Sequence, residues 1–390
     1  MDPHINLAHD LPAFQALGAK WDRMIAERFA DHPFFRHFWF VNYYRVFYPD
    51  TPLAVLTGNG PEGISGALPT VRIRRMLAGI PLRTAQLLAG DHTPQNRILV
   101  PEGHDGLLAG FLDHLLDRHA DLIYLEDIPD RFPDRTWMEQ YCRDRRLQLE
   151  MRQIRRSPYI PIQGSFEEYR KGLTKKFREL LNNRLNKINR AGGFEIIIHT
   201  GAEAVAPAIA TMRQIAARSW QGKEGSGLFS GERNALFYPA FITHALTNGY
   251  GRVYILVHAG QPAAFEFHVF HGRTEYCLKA EYAHDFAQVS PGAVLEMELI
   301  RRAFETDIDT YDLMGYADPY KIRWTEYFTP YYRYFIFNRT AASRAAHLLY
   351  FRLGDRLRKL KGKNNHTPFQ SPHAMTGKKS TSRLQTTESK

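Results

Sequence analysis

Over the first 155 residues, some segments have the apolar spacing of a helix and others have the alternation of a strand. Leu17, Trp21, Met24 and Ile25 fall at helical spacing and predict a helix over residues 12–30. The same patterns predict helices at 34–48, 105–119 and 134–146 and strands at 52–57, 64–74, 81–89, 121–128 and 147–155. Helices and strands that alternate along a chain indicate an α/β or α+β fold.

Residues 34–48 are mostly aromatic and read FFRHFWFVNYYRVFY. A helix of this composition is typical of a buried core element, because its apolar side chains lie on every face. Arg36 and Arg45 are interleaved with the rings, so a base-stacking surface is the alternative interpretation.

A long basic helix is predicted after residue 165. Ser165 and Glu168 form a capping box at its start, and Gly192 ends it. One stripe is apolar and consists of Phe166, Tyr169, Leu173, Phe177, Leu181, Leu185 and Ile188. The remaining surface carries eight Lys/Arg against three Glu between 165 and 190. It is either an ordinary solvated face or a surface that faces a phosphate-bearing substrate.

The order of elements from residue 194 onwards is β-α-α-β-β-β-α-β-α-β. Strands are predicted at 194–200, 252–259, 262–271, 273–283, 310–315 and 331–338, and helices at 201–220, 232–248, 291–306 and 319–324. Turn-forming residues separate the three central strands, which predicts that they are consecutive neighbours in one sheet.

Composition narrows the class of protein. The chain has 390 residues, 44% of them hydrophobic and 24% charged, which suits a folded protein of about two domains. No apolar run approaches the roughly 18 residues of a membrane span, and no signal peptide is recognisable at the start. Cys142 and Cys277 are the only cysteines, too few for a disulfide framework. We therefore expect a cytoplasmic protein.

The formal charge of +10 is concentrated at the C-terminal end. Residues 352–390 hold ten Lys/Arg and two acidic residues, so the rest of the chain is nearly neutral and nucleic acid is an unlikely partner. A helix is predicted at 341–361, with Ala342, Ala345, Ala346, Leu349, Leu353, Leu357 and Leu360 on one side. It either packs onto the globular body or lies in an anionic membrane surface. Residues 363–390 have few large apolar side chains and are predicted to be disordered.

Few sequence motifs typical of catalytic, metal-binding or phosphate-binding sites are present. The sequence contains no phosphate-binding P-loop, zinc-protease helix or serine-hydrolase elbow. His268 and His271 are three residues apart on a strand and point to opposite faces, so no metal site is expected. The junction 288–293 joins a strand to a helix with Ser290 as predicted N-cap and Pro291 as first helical residue. It is either a cap alone or an anion site.

Several motifs together resemble one family. They are ALP (67–69), LLAGDHTP (87–94), LIYLEDIP (122–129), RSPYIPIQGSFEEYRKGL (156–173), SW-x-G (219–222), SPG (290–292) and YDLMG-x-x-x-x-YK-x-x-W (311–324). With the order of elements in 194–338, they resemble the CelD-like acetyltransferases of the GNAT superfamily. That family is associated with cellulose and exopolysaccharide biosynthesis and is similar to the FemAB peptidyltransferases.

The resemblance implies tandem GNAT-like domains, each a mixed central sheet flanked by helices. Residues 1–155 would be a degenerate N-terminal domain, 156–340 the acyltransferase domain, and 341–362 a basic amphipathic helix. The acyl donor would be acetyl-CoA, with its pyrophosphate on the turn formed by Val289, Ser290, Pro291, Gly292 and Ala293. Pro291 stands where the family turn has a glycine, which removes one N–H from that turn.

The same resemblance suggests which side chains carry the reaction. Glu266, His268, Glu281 and Tyr320 are the candidate acid–base groups. Glu266 and Glu281 have the alternative role of pairing with Arg252, Arg273 or Lys279 across neighbouring strands. The candidate substrate-binding residues are Arg178, Arg184, Trp220, Asp312, Lys321 and Trp324. For these, core packing or a structural hydrogen bond is the alternative.

Three functions remain open on the sequence. The first is an acyl-CoA-dependent N- or O-acyltransferase acting on an envelope or exopolysaccharide precursor, with peripheral contact at the inner membrane. The second is a FemAB-like transferase that takes an aminoacyl group from tRNA and uses the basic helix at 165–190. The third is a non-catalytic scaffold in polysaccharide synthesis.

Overall fold

The computed structural model describes residues 4–60, 63–90, 92–118, 120–130 and 135–354. The predicted disordered tail at 363–390 and the second part of the predicted helix 341–361 lie outside these residues.

Among the described residues, twelve strands form one mixed sheet. They are β1 (His4–Ala8), β2 (Leu53–Gly60), β3 (Gly63–Leu77), β4 (Ile80–Leu87), β5 (Leu122–Pro129), β6 (Gln148–Pro161), β7 (Glu195–His199), β8 (Gly251–His258), β9 (Gln261–His271), β10 (Thr274–Tyr282), β11 (Thr310–Asp312) and β12 (Phe328–Phe337). Their order across the sheet is β1-β2-β3-β4-β5-β12-β6-β11-β10-β9-β8-β7.

Helices cover the faces of this sheet. They are α1 (Leu11–Gln15), α2 (Gly18–Arg28), α3 (His37–Phe47), α4 (Asp105–Asp117), α5 (Arg135–Asp144), α6 (Phe166–Gly172), α7 (Lys175–Arg190), α8 (Val205–Arg218), α9 (Trp220–Glu224), α10 (Gly231–Thr247), α11 (Pro291–Ala303) and α12 (Ala341–His347). The predicted mixed α/β fold is confirmed.

The two halves of the chain exchange strands at the middle of the sheet. β12, from the end of the chain, lies between β5 and β6 and is antiparallel to both. One edge of β6 pairs with β12 over residues 148–158. Its other edge pairs with β11 over Tyr159–Pro161. The predicted domain boundary at residue 155 therefore falls inside a continuous strand. Sequence patterns identified these strands but not their partners, because pairing is set by contacts that are distant in the chain.

The aromatic helix α3 is a core element. Trp39, Phe40 and Tyr43 are each 1% exposed. The Trp39 ring centroid lies 4.8 Å from that of Phe241 and 5.3 Å from that of Phe237, both on α10. Of the two interpretations of residues 34–48, the buried helix is therefore correct. α3 joins the first half of the chain to the second by stacking aromatic rings.

The predicted long basic helix is two helices. α6 ends at Gly172, and Leu173 is extended at φ −69°, ψ 153°. Thr174 then caps α7 by accepting a hydrogen bond from the Phe177 N–H. The capping box of Ser165 and Glu168 is present as predicted. The break was missed because a threonine N-cap inside an apolar repeat resembles an ordinary exposed helical residue.

α12 packs against the sheet and continues as a π-helical turn at Leu348–Leu353. Ala346 and Phe351 are buried, and the Phe351 ring lies 5.2 Å from that of Phe335 on β12. Leu349 and Leu353, two members of the predicted apolar stripe, are each 42% exposed instead. The wider π-helical turn changes which side chains face inward. No helix among the described residues is both long and apolar enough to cross a bilayer.

Candidate functional site

The site is a cleft where two parallel strands separate. β10 pairs with β11 only over Thr274–Tyr276, opposite Thr310–Asp312. β10 then continues to Tyr282, whereas the chain after Asp312 turns away through Met314 and Gly315, both at positive φ. The gap is a cavity of about 540 Å³, a size typical of a small-molecule site. Between Cys277 and Tyr282, no described strand covers this edge of β10.

A β-bulge lies in the floor of the cleft. Cys277 is opposite His268 on β9, but Lys279 is already opposite Phe267, so Leu278 is an extra residue in β10. A bulge bends the strand and increases its twist. Here it accompanies the separation of β10 from β11, and Leu278 lines the cavity.

The first turn of α11 forms one rim. Gly292 and Ala293 line the cavity, whereas Val289 and Pro291 are buried beneath it. A Cβ on Gly292 would lie 3.4 Å from the Tyr282 ring, so glycine keeps this rim open. As the second and third residues of a helix, Gly292 and Ala293 have N–H groups without intrahelical acceptors.

Ser290 precedes α11 as predicted but does not cap it with its side chain. Its backbone is left-handed, at φ 52° and ψ 52°, and its hydroxyl makes no capping hydrogen bond. The prediction of a side-chain N-cap was therefore wrong. A capping serine needs an extended backbone to direct its oxygen at the helix, and the preceding 3₁₀ turn at His284–Val289 prevents this.

Glu266 supplies a carboxylate at the floor of the cleft, and the buried His268 fixes its position. The His268 ring nitrogens lie 2.8 Å from Glu266 Oε2 and 2.7 Å from Glu275 Oε1. Burial by itself lowers the pKa of His268, but the adjoining Cys277, Glu266 and Glu275 more than reverse this and raise its pKa well above the ordinary value. His268 is fully buried and does not line the cavity, so it orients Glu266 and balances its charge.

Glu296 on α11 is a second carboxyl group of the cleft, and sequence reasoning missed it. It lines the cavity, and Trp324 donates from Nε1 to its Oε2 at 3.3 Å. Burial, followed by the negative charge of Glu266, raises the pKa of Glu296 to about 8. The group is therefore protonated at neutral pH. Its only sequence signal is a glutamate within the apolar run Val294–Met297.

The wall opposite β10 comes from the motif 311–324 and from α7. Trp324 is 3% exposed, and its ring lies 4.8 Å from that of Phe177. Lys321 donates from Nζ to the Met314 carbonyl oxygen at 2.7 Å, which fixes the turn that leaves β11. Tyr320 is 52% exposed at the mouth. Burial, followed by the charge of nearby Arg323, lowers the pKa of Arg184 on α7.

Glu281 fixes the wall of the cavity that carries Trp220. Ser219 donates to it at 2.7 Å, and the Leu228 N–H donates to its other oxygen. These bonds fix the turn that carries Trp220, whose side chain is 43% exposed on the cavity. None of the predicted cross-strand partners of Glu281 is bound to it among the described residues.

The predicted site residues separate into two groups. Those that line the cavity are Arg184, Trp220, Glu266, Glu281, Gly292, Ala293, Tyr320, Lys321 and Trp324. Those that do not line it are Arg178, His268, Val289, Ser290, Pro291 and Asp312.

Two of the residues outside the cavity have structural contacts. Arg178 donates to the carbonyl oxygens of Lys171 and Leu173 and so braces the break between α6 and α7. Asp312 accepts from the Met314 N–H at 2.8 Å, and burial raises its pKa to about 6. Both contacts fix turns that border the cleft.

One cluster could be compared with a metal site. Ligand atoms of Glu266, His268 and Cys277 lie within 4.8 Å of one another. Both His268 nitrogens already face carboxylates, and the Cys277 thiol lies 3.3 Å from Glu266. Burial raises the pKa of Cys277 to about 12, so the sulfur carries its proton. Hydrogen bonds therefore account for the cluster.

Comparison with known proteins identifies the type of domain. The family model described as "Acetyltransferase (GNAT) domain" matches residues 175–322, which contain β10, α11 and most of the residues that line the cleft. The matched segment is a GNAT-type acyltransferase domain. A search of curated proteins returned no match.

Solved structures share the fold at low sequence identity. FemX is 10% identical with a TM-score of 0.55, and the alignment covers 85% of this chain and 98% of FemX. The C-terminal domain of a protein assigned as a lysylphosphatidylglycerol synthetase from Agrobacterium fabrum is 12% identical, with a TM-score of 0.53 and coverage of 87% and 96%. A Bacteroides thetaiotaomicron protein of unknown function is 11% identical, with a TM-score of 0.51 and coverage of 86% and 100%.

Proposed function

We propose that the protein transfers an acyl group from acyl-CoA, in the first instance acetyl-CoA, to an amine or hydroxyl acceptor bound in the cleft between β10 and β11. The observation that carries the proposal is the separation of these two parallel strands beside a β-bulge. It exposes backbone hydrogen-bonding groups of Cys277–Tyr282 to an extended ligand. A linear pantetheine arm with amide groups is suited to such an edge.

The donor's pyrophosphate would bind at the start of α11, on the turn 289–293. Gly292 and Ala293 line the cavity there, and helix N-termini attract anions through free N–H groups and the helix dipole. Pro291 contributes no N–H, so the contact would depend on the residues that follow it. Lys321, Arg323 and Arg184 line the same cavity and add positive charge.

The reaction would proceed by direct attack on the thioester. The acceptor nitrogen or oxygen forms a bond to the acyl carbon, and its proton passes to Glu266, which His268 orients. The carbon–sulfur bond breaks, and the departing thiolate takes a proton from Glu296 or Tyr320. Glu296 suits this role because it is protonated at neutral pH and lines the same cavity. Glu281 and Trp220 would shape the acceptor side.

We propose an envelope or exopolysaccharide precursor as the acceptor class, since the motifs of the chain resemble the CelD-like family. Peripheral contact with the inner membrane through 341–363 belongs to the same proposal. The exposed leucines Leu348, Leu349 and Leu353 support it, because they leave apolar side chains on the outer side of this segment.

A FemAB-like transfer from aminoacyl-tRNA is the second candidate. α7 is a basic helix, and Arg184 from that helix lines the cavity. Phosphate contacts of that kind weaken steeply with salt. Donor binding by aminoacyl-tRNA, and none by acetyl-CoA, would favour this candidate.

Donor binding tests the proposal directly. Acetyl-CoA should raise the melting temperature of the full chain, because it binds only the folded state. Gly292→Trp should abolish that rise by filling the rim beside Tyr282. Gly106→Trp is the matched control, because Gly106 is also the second residue of a helix but has open space around its Cβ position. Unchanged stabilisation of Gly292→Trp would refute the donor site.

Glu266→Gln separates binding from chemistry. We expect it to bind acetyl-CoA as the parent does and to lose transfer about 10²–10⁴-fold, the range for a general base. Release of coenzyme A thiol, followed in the presence of candidate sugar and amine acceptors, measures the transfer. Parent-like transfer by this variant would remove Glu266 from the mechanism.

A further inference from the structure

A second cavity lies in the first half of the chain, away from the acyltransferase cleft. It has a volume of about 600 Å³ and occupies the sheet surface beyond the C-terminal end of α4, where β2, β3 and β4 continue past the helix. Its floor is apolar and includes Ala54, Ala85, Leu115 and Ala120. The size is within the roughly 300–1,000 Å³ of small-molecule sites. None of its lining residues is shared with the cleft.

The rim of this cavity is strongly basic. Arg72, Arg74, Arg83 and Arg118 line it, and the described lining residues include no carboxylate. Asp121 neutralises Arg83 through hydrogen bonds of 2.9 and 3.0 Å. The other three guanidinium groups have no acidic partner among the described residues.

Two arrangements leave this positive charge unbalanced. Arg74 on β3 is directly opposite Arg83 on β4, whose charge is already balanced by Asp121, so this cross-strand pair gives Arg74 no acidic partner. Arg72 has one weak hydrogen bond, at 3.4 Å to the Leu53 carbonyl oxygen. Three arginines without an acidic partner around one cavity can satisfy an anion through charge-assisted hydrogen bonds.

His114 on α4 provides an independent observation. Its Nε2 atom is buried and has no hydrogen-bond partner in the part of the chain that the structure describes. Burial, followed by the charges of Arg118 and Arg72, lowers the pKa of this side chain. Asp117, on the same helix, opposes that shift. A buried ring nitrogen on an otherwise basic cavity needs a ligand atom to satisfy it.

We propose that this cavity binds an amphiphilic phosphate, with the phosphate among Arg72, Arg74, Arg118 and His114 and an alkyl chain on the apolar floor. Three guanidinium groups match the charge and the several oxygens of a phosphate better than those of a single carboxylate. The apolar floor distinguishes the ligand from a free phosphate ion, which would leave that surface unsatisfied. The site does not depend on the proposed acyl transfer.

The experiment uses dodecyl phosphate with the full chain, below its micelle concentration, in isothermal titration. We expect one molecule to bind per chain. Inorganic phosphate should bind at least tenfold more weakly because it leaves the floor uncovered. Dodecanoate and the neutral dodecyl maltoside should also bind more weakly. Equal affinity for inorganic phosphate or for the neutral amphiphile would overturn the proposal.

Paired substitutions locate the site. Arg72→Gln/Arg118→Gln should weaken dodecyl phosphate binding about tenfold or more, since two charge-assisted hydrogen bonds are lost. Arg23→Gln/Arg28→Gln on α2 is the matched control, because both are exposed arginines outside the cavity. All four side chains are exposed, so both variants should keep the parent's melting temperature. Equal binding by the two variants would place the ligand elsewhere and refute the site.

Discussion

At the scale of single residues, the cleft is defined by two carboxyl groups that have different neighbours. Glu266 accepts or shares a hydrogen bond with His268, whereas Glu296 accepts from the Trp324 N–H and has a raised pKa because burial and the charge of Glu266 outweigh the opposing charge of Lys321. Two carboxyl groups in such different surroundings can take the roles of base and acid in one reaction. Because both residues are glutamates, residue type alone does not tell which one is the base and which one is the acid.

Glu296→Gln should change the pH dependence of stability. The pKa of Glu296 is about 8 in the folded chain against 4.5 as its ordinary value, so the folded state holds the proton more tightly between these values. The parent therefore loses stability as pH rises from about 5 to 8, and the glutamine variant does not. We expect the variant to gain about 1–3 kcal/mol relative to the parent over this range, measured by urea unfolding.

Glu298→Gln is the control for that measurement. Glu298 is on the same helix, where it pairs with Arg301 at the surface. Its substitution, measured at pH 5 and at pH 8, gives the effect of a Glu→Gln change on this helix outside the cleft. If Glu296→Gln behaved in the same way, Glu296 would not be protonated in the folded chain.

At the scale of elements, local irregularities shape the functional surfaces. The bulge at Leu278 lies where β10 and β11 separate, and a left-handed Ser290 starts α11 without a side-chain cap. The π-helical turn after α12 turns Leu349 and Leu353 outward. Each irregularity interrupts a regular pattern over a short segment, and each lies beside a surface that we propose to be functional.

Leu349→Ser/Leu353→Ser should weaken binding of the full chain to anionic vesicles. If these leucines enter the headgroup layer, their loss removes apolar burial and should lower the partition coefficient roughly tenfold. Co-sedimentation with vesicles of phosphatidylglycerol and phosphatidylcholine measures it, and salt should weaken the parent's binding. Leu236→Ser, at an exposed leucine on α10, is the control. Identical sedimentation of both variants would exclude the segment.

At the scale of the whole molecule, the two halves of the chain form one sheet and share a core. β12 supplies a central strand to the first half, and α3 packs on α10 from the second. A single buried aromatic cluster therefore spans both halves. We expect them to unfold together, in one transition.

Phe241→Ala tests this coupling. Phe241 is fully buried and contacts the rings of Trp39, Phe237 and Phe267. Loss of a buried phenylalanine costs about 3–5 kcal/mol. Urea unfolding should show that loss in one transition seen equally by fluorescence and circular dichroism. Leu236→Ala on the same helix should change stability by less than about 0.5 kcal/mol. Two separate transitions would show that the halves are independent.

The sequence determined the elements, the α/β class and a large part of the cleft's lining. Helical and strand periods are local properties, so α3, α10 and the strands around Glu266 could be recognised without knowing their partners. The motif at 311–324 and the junction at 288–293 identified Tyr320, Lys321, Trp324, Gly292 and Ala293, all of which line the cavity.

Only the tertiary structure decided which of these residues meet and in what state. The pKa of Glu296 depends on burial by distant segments, and the basic cavity depends on the pairing of β3 with β4 and on where α4 ends. The insertion of β12 between β5 and β6 depends on contacts between residues about 200 positions apart. Burial and charge proximity are properties of the assembled fold, and a local pattern does not contain them.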